Sequence, residues 1–229
     1  MKKYRYLLWD IDGTVLDFKA AEKAAIKSLF AKFGFGQCTD EMVARYSAIN
    51  DRYWKALEKK EMTKPQILVE RFKEFFAEEG IDTDYAVSFN SEYQVALGDT
   101  IVFCDNAGEL LKDLKGKYVL AAVTNGTKKA QDKKLSESGL DRIFDYIFIS
   151  EEIGVEKPDA EFFRYVSEVM GIDDPKEALI IGDSLTSDIL GGNNASIDTC
   201  WYNREGITCD EEVDITYTIS NLDDIRSIL

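Results

Sequence analysis

Two aspartates lie one residue apart at the end of a short apolar run near the start of the chain. Asp10 and Asp12 belong to the stretch Asp10-Ile11-Asp12-Gly13-Thr14, which directly follows the apolar residues 6–9. Two unit charges about 4 Å apart repel by roughly 4 kcal/mol at an effective dielectric constant of about 20, so a buried pair of carboxylates needs a cation. Mg²⁺ suits such oxygen ligands and also binds substrate phosphates. The alternative is a simple turn, because Asp and Gly are common turn residues.

Two later segments could bind a phosphate group beside that cation. Thr124 and Asn125 follow the apolar run 118–123 and offer a hydroxyl and an amide. Free backbone N–H groups around Gly126 could add an anion-binding concavity. Lys157 lies in a predicted loop and supplies the positive charge that a phosphate facing Asp10 would need. The alternatives are an Asn-Gly turn and a solvent-exposed lysine.

A fourth segment adds two more aspartates. Asp183 comes one glycine after the apolar run 178–181, and Asp188 follows five positions later, where the next helix is expected to begin. We predict that Asp183 completes the cation site and that Asp188 binds the ion directly or orients its waters. A helix cap is the alternative for Asp188. Residues 182–185 also spell the GDSL esterase signature, but those enzymes need a histidine base and the chain has no histidine.

The composition excludes several other kinds of chemistry and partner. Without histidine, the chain cannot form a Ser-His-Asp triad or an HExxH zinc site. Its 43 acidic and 28 basic residues give a net charge of -15, which repels nucleic acid polymers and anionic lipid surfaces. The four cysteines form no CxxC pair, and there is no leading apolar segment, so we expect a cytoplasmic protein without a membrane partner. We expect a small-molecule phosphate monoester as partner, and a monomer or weak dimer.

Short apolar runs alternate with segments of helical periodicity over most of the chain. This alternation predicts an α/β fold with a doubly wound parallel sheet, in which ligands bind beyond the carboxyl ends of the strands. Residues 17–97 lack a strand-like run and instead predict four amphipathic helices. We therefore place an α/β core domain at residues 1–16 and 98–229 and an inserted helical domain at 17–97. The predicted strands are 6–9, 118–123, 146–149, 178–181 and 197–201.

The order and spacing of these motifs resemble the haloacid dehalogenase (HAD) superfamily of phosphatases. The matching motifs are DxDGT at residues 10–14, Thr124, the Lys-Pro pair at 157–158 and GDxxxxD at 182–188. The resemblance spans nearly the whole chain and implies a Rossmann-like core, with the helical insertion as the cap of the first subclass. True dehalogenases of the superfamily lack the second acid, which is Asp12 here, and need no metal. The motif therefore favours a phosphatase.

The resemblance implies a role for each motif residue. Asp10 would be the nucleophile that forms an aspartyl-phosphate. Asp12 would protonate the leaving oxygen and then deprotonate the attacking water. Asp10, the backbone carbonyl of Asp12, and Asp183 would hold Mg²⁺ as the cofactor. The residues that would bind the phosphate are Thr124, Asn125 and Lys157.

A narrower resemblance concerns the substrate, which the cap is expected to select. Residues 191–203, together with Tyr46, Asn50 and Trp54 in the cap, are similar to the pyrimidine 5'-nucleotidase branch that acts on unusual pyrimidine nucleotides. Ser196 stands where that branch would have a glycine. The resemblance implies a pyrimidine nucleoside 5'-monophosphate as substrate, with Asn50 and Trp54 as candidate contacts. The alternatives are a sugar-phosphate or phosphoglycolate phosphatase, a phosphomutase, and a non-enzymatic module that binds Mg²⁺ and phosphate.

Overall fold

A parallel sheet of six strands lies at the centre of the fold. The computed structural model describes residues 4–229. The strands are β1 (Tyr6–Trp9), β2 (Val119–Thr124), β3 (Tyr146–Ile149), β4 (Ala178–Gly182), β5 (Asp198–Tyr202) and β6 (Tyr217–Ile219). Their order is β3-β2-β1-β4-β5-β6, and every neighbouring pair is parallel. The chain therefore starts in the middle of the sheet and winds outward in both directions, which confirms the predicted α/β doubly wound class.

Helices connect the strands and also form the insertion after β1. The α-helices are α1 (Phe18–Phe33), α2 (Asp40–Glu58), α3 (Lys64–Glu79), α4 (Ala86–Ala96), α5 (Ala107–Leu114), α6 (Lys128–Ser138), α7 (Ser150–Ile153), α8 (Ala160–Met170) and α9 (Leu190–Asn194). Shorter helical turns occur at Thr83–Tyr85, Leu140–Arg142, Pro175–Glu177, Leu185–Ile189 and Leu222–Ser227.

The predicted strands agree with the observed ones to within one residue, but β6 was not predicted. This edge strand pairs with β5, and in its three residues only Ile219 is buried. A segment so short and so exposed has no apolar run, which is the signal that sequence periodicity provides.

The two faces of the sheet carry separate hydrophobic clusters, because successive side chains of a strand point to opposite faces. In β1, Leu7 and Trp9 belong to one cluster with Leu110 of α5. Tyr6 and Leu8 belong to the other cluster, which includes Phe162 and Phe163 of α8. Helices on both faces thus bury the sheet and fix the position of its carboxyl-terminal edge.

Helices α1 to α4 pack around an aromatic cluster of their own. Phe30, Phe72, Phe75 and Phe89 are fully buried there, and the ring centroids of Phe72 and Phe89 lie 5.1 Å apart. All four predicted helices are present, and helix α3 begins after Thr63. We call α1 to α4 the cap. The exact division into domains at residues 17 and 97 stays a prediction, which this separate cluster supports.

The cap also contains a buried polar network around Glu22 of α1. The Glu22 carboxylate accepts hydrogen bonds from the Ser47 hydroxyl and, at 3.1 Å, from the Asn50 amide. Asn50 in turn accepts a hydrogen bond from the Arg71 guanidinium. Burial raises the pKa of Glu22 to about 7, although the Ser47 hydrogen bond opposes this shift. A carboxyl group that is hard to ionise therefore lies inside the cap.

None of the helices within residues 4–229 is long and apolar enough to cross a membrane. The cytoplasmic location and the monomeric or weakly dimeric state stay predictions.

We expect Glu22 to make the stability of the fold depend on pH. An unfolded Glu22 ionises near 4.5, whereas the native residue keeps its proton up to about pH 7, so its contribution to the free energy of unfolding falls as pH rises through this range. Glu22→Gln should abolish that loss and be the more stable protein at pH 8, by up to about 3 kcal/mol. Urea unfolding of both proteins between pH 4 and 8 measures the difference. A gap of equal size at every pH would contradict the assignment to Glu22.

Candidate active site

Neighbouring strands bring polar residues together at the carboxyl-terminal edge of the sheet. Asp10 directly follows β1, Thr124 is the last residue of β2, and Asp183 directly follows β4. Because β1 lies between β2 and β4, these residues lie side by side at the edge where open α/β sheets bind ligands. Lys157 reaches the same point from the loop between α7 and α8.

Lys157 is fully buried and bridges two carboxylates. Its Nζ lies 2.8 Å from Asp10 Oδ1, 2.6 Å from Asp188 Oδ1 and 2.8 Å from the carbonyl oxygen of Val123. The ammonium group thus has an acceptor for each of its three donors. Burial lowers the pKa of Lys157, but the charges of Asp10 and Asp188 outweigh this effect and raise it above the ordinary value. The side chain is therefore charged at neutral pH.

Three carboxylates converge at this lysine. One oxygen atom from each of Asp10, Asp183 and Asp188 lies within 4.8 Å of the others. Burial raises the pKa of Asp10 well above its ordinary value, and Asp188 and Asp183 raise it further while Lys157 opposes them. Burial also raises the pKa of Asp183 to about 7, against a 3.0 Å hydrogen bond from the Thr14 hydroxyl. We call Asp10, Asp183 and Asp188 the acid cluster.

The acid cluster has the donor set and the rigidity that a magnesium site needs. Its ligand atoms are carboxylate oxygens, which hard divalent cations prefer. A Cβ atom at Gly13 would lie 2.5 Å from Asp183 Oδ2, and one at Gly182 would lie 2.2 Å from Asp188 Oδ2. The indole N–H of Trp201 donates to the carbonyl of Asp183 at 2.9 Å. The residues therefore fit a divalent cation, and close packing fixes the orientation of their carboxylates.

Asn125 has a structural contact that the sequence did not reveal. Its Nδ2 donates to the carbonyl of Lys157 at 2.8 Å, and its Oδ1 accepts from the N–H of Lys157 at 2.9 Å. These reciprocal bonds orient the Lys157 loop. The hydroxyl oxygen of Thr124 accepts from the N–H of Gly126 at 3.0 Å, and both Thr124 and Asn125 line the cavity above the strand ends. Their contact with phosphate stays a prediction.

The Asp12 carboxylate lies apart from the acid cluster. Its Oδ2 accepts a hydrogen bond from Gln131 Nε2 at 2.6 Å, and its Oδ1 forms an ion pair with Lys134. Both partners lie on α6, which begins soon after Thr124. Neither Gln131 nor Lys134 was predicted as a site residue from the sequence. Their spacing of three residues on a helix was the only available signal, and it is shared by many pairs that have no function.

A cavity of about 820 Å³ extends from the acid cluster to helix α2 of the cap. Asn50 and Trp54, the two predicted cap contacts, both line it. The Asn50 amide group is already bonded to Glu22 and Arg71 at its two ends, which leaves it less able to bind a substrate. Trp54 is half-buried and is the better placed of the two.

We expect Gly13→Ala to weaken Mg²⁺ binding because the new methyl group would displace the Asp183 carboxylate. Gly116→Ala is a matched control, since Gly13 and Gly116 have φ values of 98° and 75° but a Cβ at Gly116 meets no atom within 4 Å. Disturbing an oriented ligand typically costs about 10- to 100-fold in metal affinity. Isothermal titration calorimetry should show that loss for Gly13→Ala alone. Equal affinities in both variants would contradict the role of Asp183 as a ligand.

Comparison with known proteins agrees with this geometry. The sequence profile of the haloacid dehalogenase-like hydrolases matches residues 4–196. The chain is 39% identical over 229 residues to the HAD-hydrolase YfnB of Bacillus subtilis, covering 100% of this chain and 97% of YfnB. It is 35% identical to the pyrimidine 5'-nucleotidase PynA of Streptococcus pneumoniae, covering 99% and 95% of the two chains. It is 29% identical to the pyrimidine 5'-nucleotidase YjjG of Escherichia coli, covering 99% and 98%.

A crystal structure gives the same result at the level of the fold. The structure of YfnB bound to magnesium superimposes with a TM-score of 0.93 and covers 100% of this chain and 99% of YfnB. The fold of this chain, including its helical insertion, is therefore similar to that of YfnB over the whole length, and the family profile spans all four predicted motifs. The chain belongs to the haloacid dehalogenase-like hydrolases.

Proposed function

We propose that the protein is a Mg²⁺-dependent phosphatase that hydrolyses pyrimidine nucleoside 5'-monophosphates through an aspartyl-phosphate at Asp10. The observation that carries this proposal is the acid cluster around a buried lysine, with Asp12 in the same cavity. This arrangement supplies a nucleophile, a positive charge for a phosphate and a separate acid.

Magnesium is the cation that the acid cluster fits best. The carboxylates of Asp10 and Asp183 and the backbone carbonyl of Asp12 would hold it, with Asp188 as a further ligand or as an acceptor for its waters. When bound, Mg²⁺ neutralises phosphoryl oxygens and favours the ionised form of the nearby carboxylates. The magnesium bound to YfnB, at 39% identity, supports this choice.

In the first step, Asp10 attacks the phosphorus atom of the substrate. A new bond forms between a carboxylate oxygen of Asp10 and phosphorus, while the bond from phosphorus to the ester oxygen breaks. Asp12 gives its proton to that departing oxygen, so the nucleoside leaves as a neutral alcohol. Lys157, which lies 2.8 Å from Asp10, stabilises the negative charge of the phosphoryl group during transfer.

In the second step, water releases the phosphate from Asp10. The Asp12 carboxylate takes a proton from the water, whose oxygen attacks the phosphorus atom. The bond between phosphorus and Asp10 then breaks, so inorganic phosphate leaves and both aspartates return to their starting states. The same residue thus acts first as acid and then as base.

The choice of a nucleotide depends on the cap side of the cavity and on the relatives. PynA and YjjG are named as pyrimidine 5'-nucleotidases and match nearly the whole chain. The half-buried Trp54 lines the cavity, and an aromatic side chain can stack on a planar base. We therefore propose that Trp54 contacts the base, and we retain Asn50 as a weaker candidate.

A substrate panel tests this proposal. Phosphate release from dUMP, dTMP and UMP should exceed release from sugar phosphates and phosphoglycolate, and it should require Mg²⁺. Asp10→Asn should abolish release because an amide cannot act as the nucleophile. Higher activity on sugar phosphates would contradict the nucleotidase assignment, and full activity of Asp10→Asn would contradict the mechanism.

Removing the buried cation should slow the reaction strongly. We expect Lys157→Ala to lower kcat by about 10²- to 10³-fold, as is typical when an electrostatic stabiliser is removed. Lys128→Ala is the control, because Lys128 is exposed and pairs with Asp132 and Glu152 at the surface. Steady-state rates on the best substrate measure both effects. Near-normal turnover by Lys157→Ala would exclude Lys157 from phosphate stabilisation.

A further inference from the structure

Helix α6 holds the Asp12 carboxylate with two buried side chains. The Lys134 ammonium pairs with Oδ1 of Asp12, and the Gln131 amide donates to Oδ2 at 2.6 Å. Gln131 is 0% exposed and Lys134 is 2% exposed, although both are polar. Each oxygen of the Asp12 carboxylate therefore has its own donor.

The fold holds both donors firmly. Gln131 and Lys134 are three residues apart on α6, so they project from one face of the helix. The Gln131 amide packs so closely on Gly126 that a Cβ there would lie 2.1 Å from Nε2. The Lys134 ammonium lies 5.1 Å from the ring centroid of Phe18 at the start of the cap, a favourable distance for a cation over an aromatic ring. Both donors are therefore buried in contact with neighbouring residues.

Stability alone is a poor explanation for this arrangement. Removing the Lys134 charge from water costs several kcal/mol, and a well-packed apolar side chain of similar volume often serves a fold equally well. Asp12 lines the cavity. Its ion-pair partner Lys134 lies on α6, which begins shortly after Thr124. Its position at the site suggests that it serves the reaction.

We propose that Lys134 and Gln131 are positioning residues that orient the Asp12 carboxyl group for proton transfer. This inference rests on the proposed phosphatase function. In the first step, the proton moves from Asp12 to the ester oxygen as the bond from that oxygen to phosphorus breaks and the bond from Asp10 to phosphorus forms. Without the two donors, the Asp12 side chain rotates among other conformers and misses the leaving oxygen.

Two substrates that differ in their leaving groups separate positioning from a general loss of structure. UMP needs a proton on its departing alcohol, whereas 2,4-dinitrophenyl phosphate releases a stable anion and needs none. For Lys134→Met we expect kcat/KM on UMP to fall by about 10²-fold, which is a typical rate contribution of a positioned general acid. We expect kcat/KM on the aryl ester to change by less than about threefold, because its leaving group needs no proton. The ratio of the two values does not depend on the fraction of folded enzyme.

Three further variants complete the design. Gln131→Met should shift the ratio in the same direction and keeps the test available if Lys134→Met does not fold. Lys134→Arg keeps a cation and should recover most of the UMP activity. Lys133→Met is the matched control, because the neighbouring Lys133 pairs with the exposed Asp99 instead of with Asp12, and its loss should leave the ratio unchanged.

The outcomes separate this inference from the proposed function. An unchanged ratio in Lys134→Met and Gln131→Met, with an active wild type, would overturn the positioning role and leave the phosphatase proposal standing. A rise in kcat/KM on UMP relative to the aryl ester would also overturn the positioning role, because Lys134 and Gln131 would then hold Asp12 away from the substrate. A wild type that hydrolyses neither ester would overturn the proposed function and this inference with it.

Discussion

The crowding of negative charge at the end of the central strands governs this structure. Three carboxylate oxygens lie within 4.8 Å of one another, and one buried ammonium bridges two of those residues. Burial favours the neutral forms of these acids. It is the largest cause of the raised pKa values of Asp10 and Asp183. Such a site needs a further cation to balance the negative charge of its carboxylates. A divalent cation bound here therefore offsets the negative charge of the carboxylates and of a bound phosphate together.

The cap completes the site by covering this charged edge. It contacts the core at two places: the Thr186 hydroxyl donates to Glu58 at 2.6 Å in the cavity lining, and Lys64 donates to the Ser150 hydroxyl at 2.7 Å. Exclusion of water strengthens the electrostatic interactions inside such a site. The aromatic cluster of the cap supports α2, and we propose that the α2 residues facing the cavity select the substrate.

The sequence predicted the features that arise from local pattern. Apolar runs located the strands β1 to β5, and the placement of Asp10, Thr124 and Asp183 at the strand ends followed from parallel topology. Lys157 was expected to neutralise a phosphate facing Asp10, and the structure places its ammonium 2.8 Å from the Asp10 carboxylate. Its contact with phosphate stays a prediction. The short edge strand β6 lacked an apolar run and was missed.

Contacts between residues far apart in the chain could not be predicted from the sequence. The pairing of Asp12 with Gln131 and Lys134 joins residues more than 100 positions apart, and no periodicity or motif reports such a pair. Asn50 was predicted as a candidate substrate contact, which stays a prediction, and the sequence did not reveal that its amide is bonded to Glu22 and Arg71. A polar residue on a helix gives no indication of which partners will saturate its hydrogen bonds.

The most direct test of the central claim is to locate the cation itself. Mn²⁺ can replace Mg²⁺ at octahedral oxygen sites, and its anomalous scattering identifies it in crystals soaked with the ion. We predict one strong anomalous peak within bonding distance of carboxylate oxygens of Asp10 and Asp183. A peak bound elsewhere, or no peak at the acid cluster at saturating Mn²⁺ and neutral pH, would contradict it.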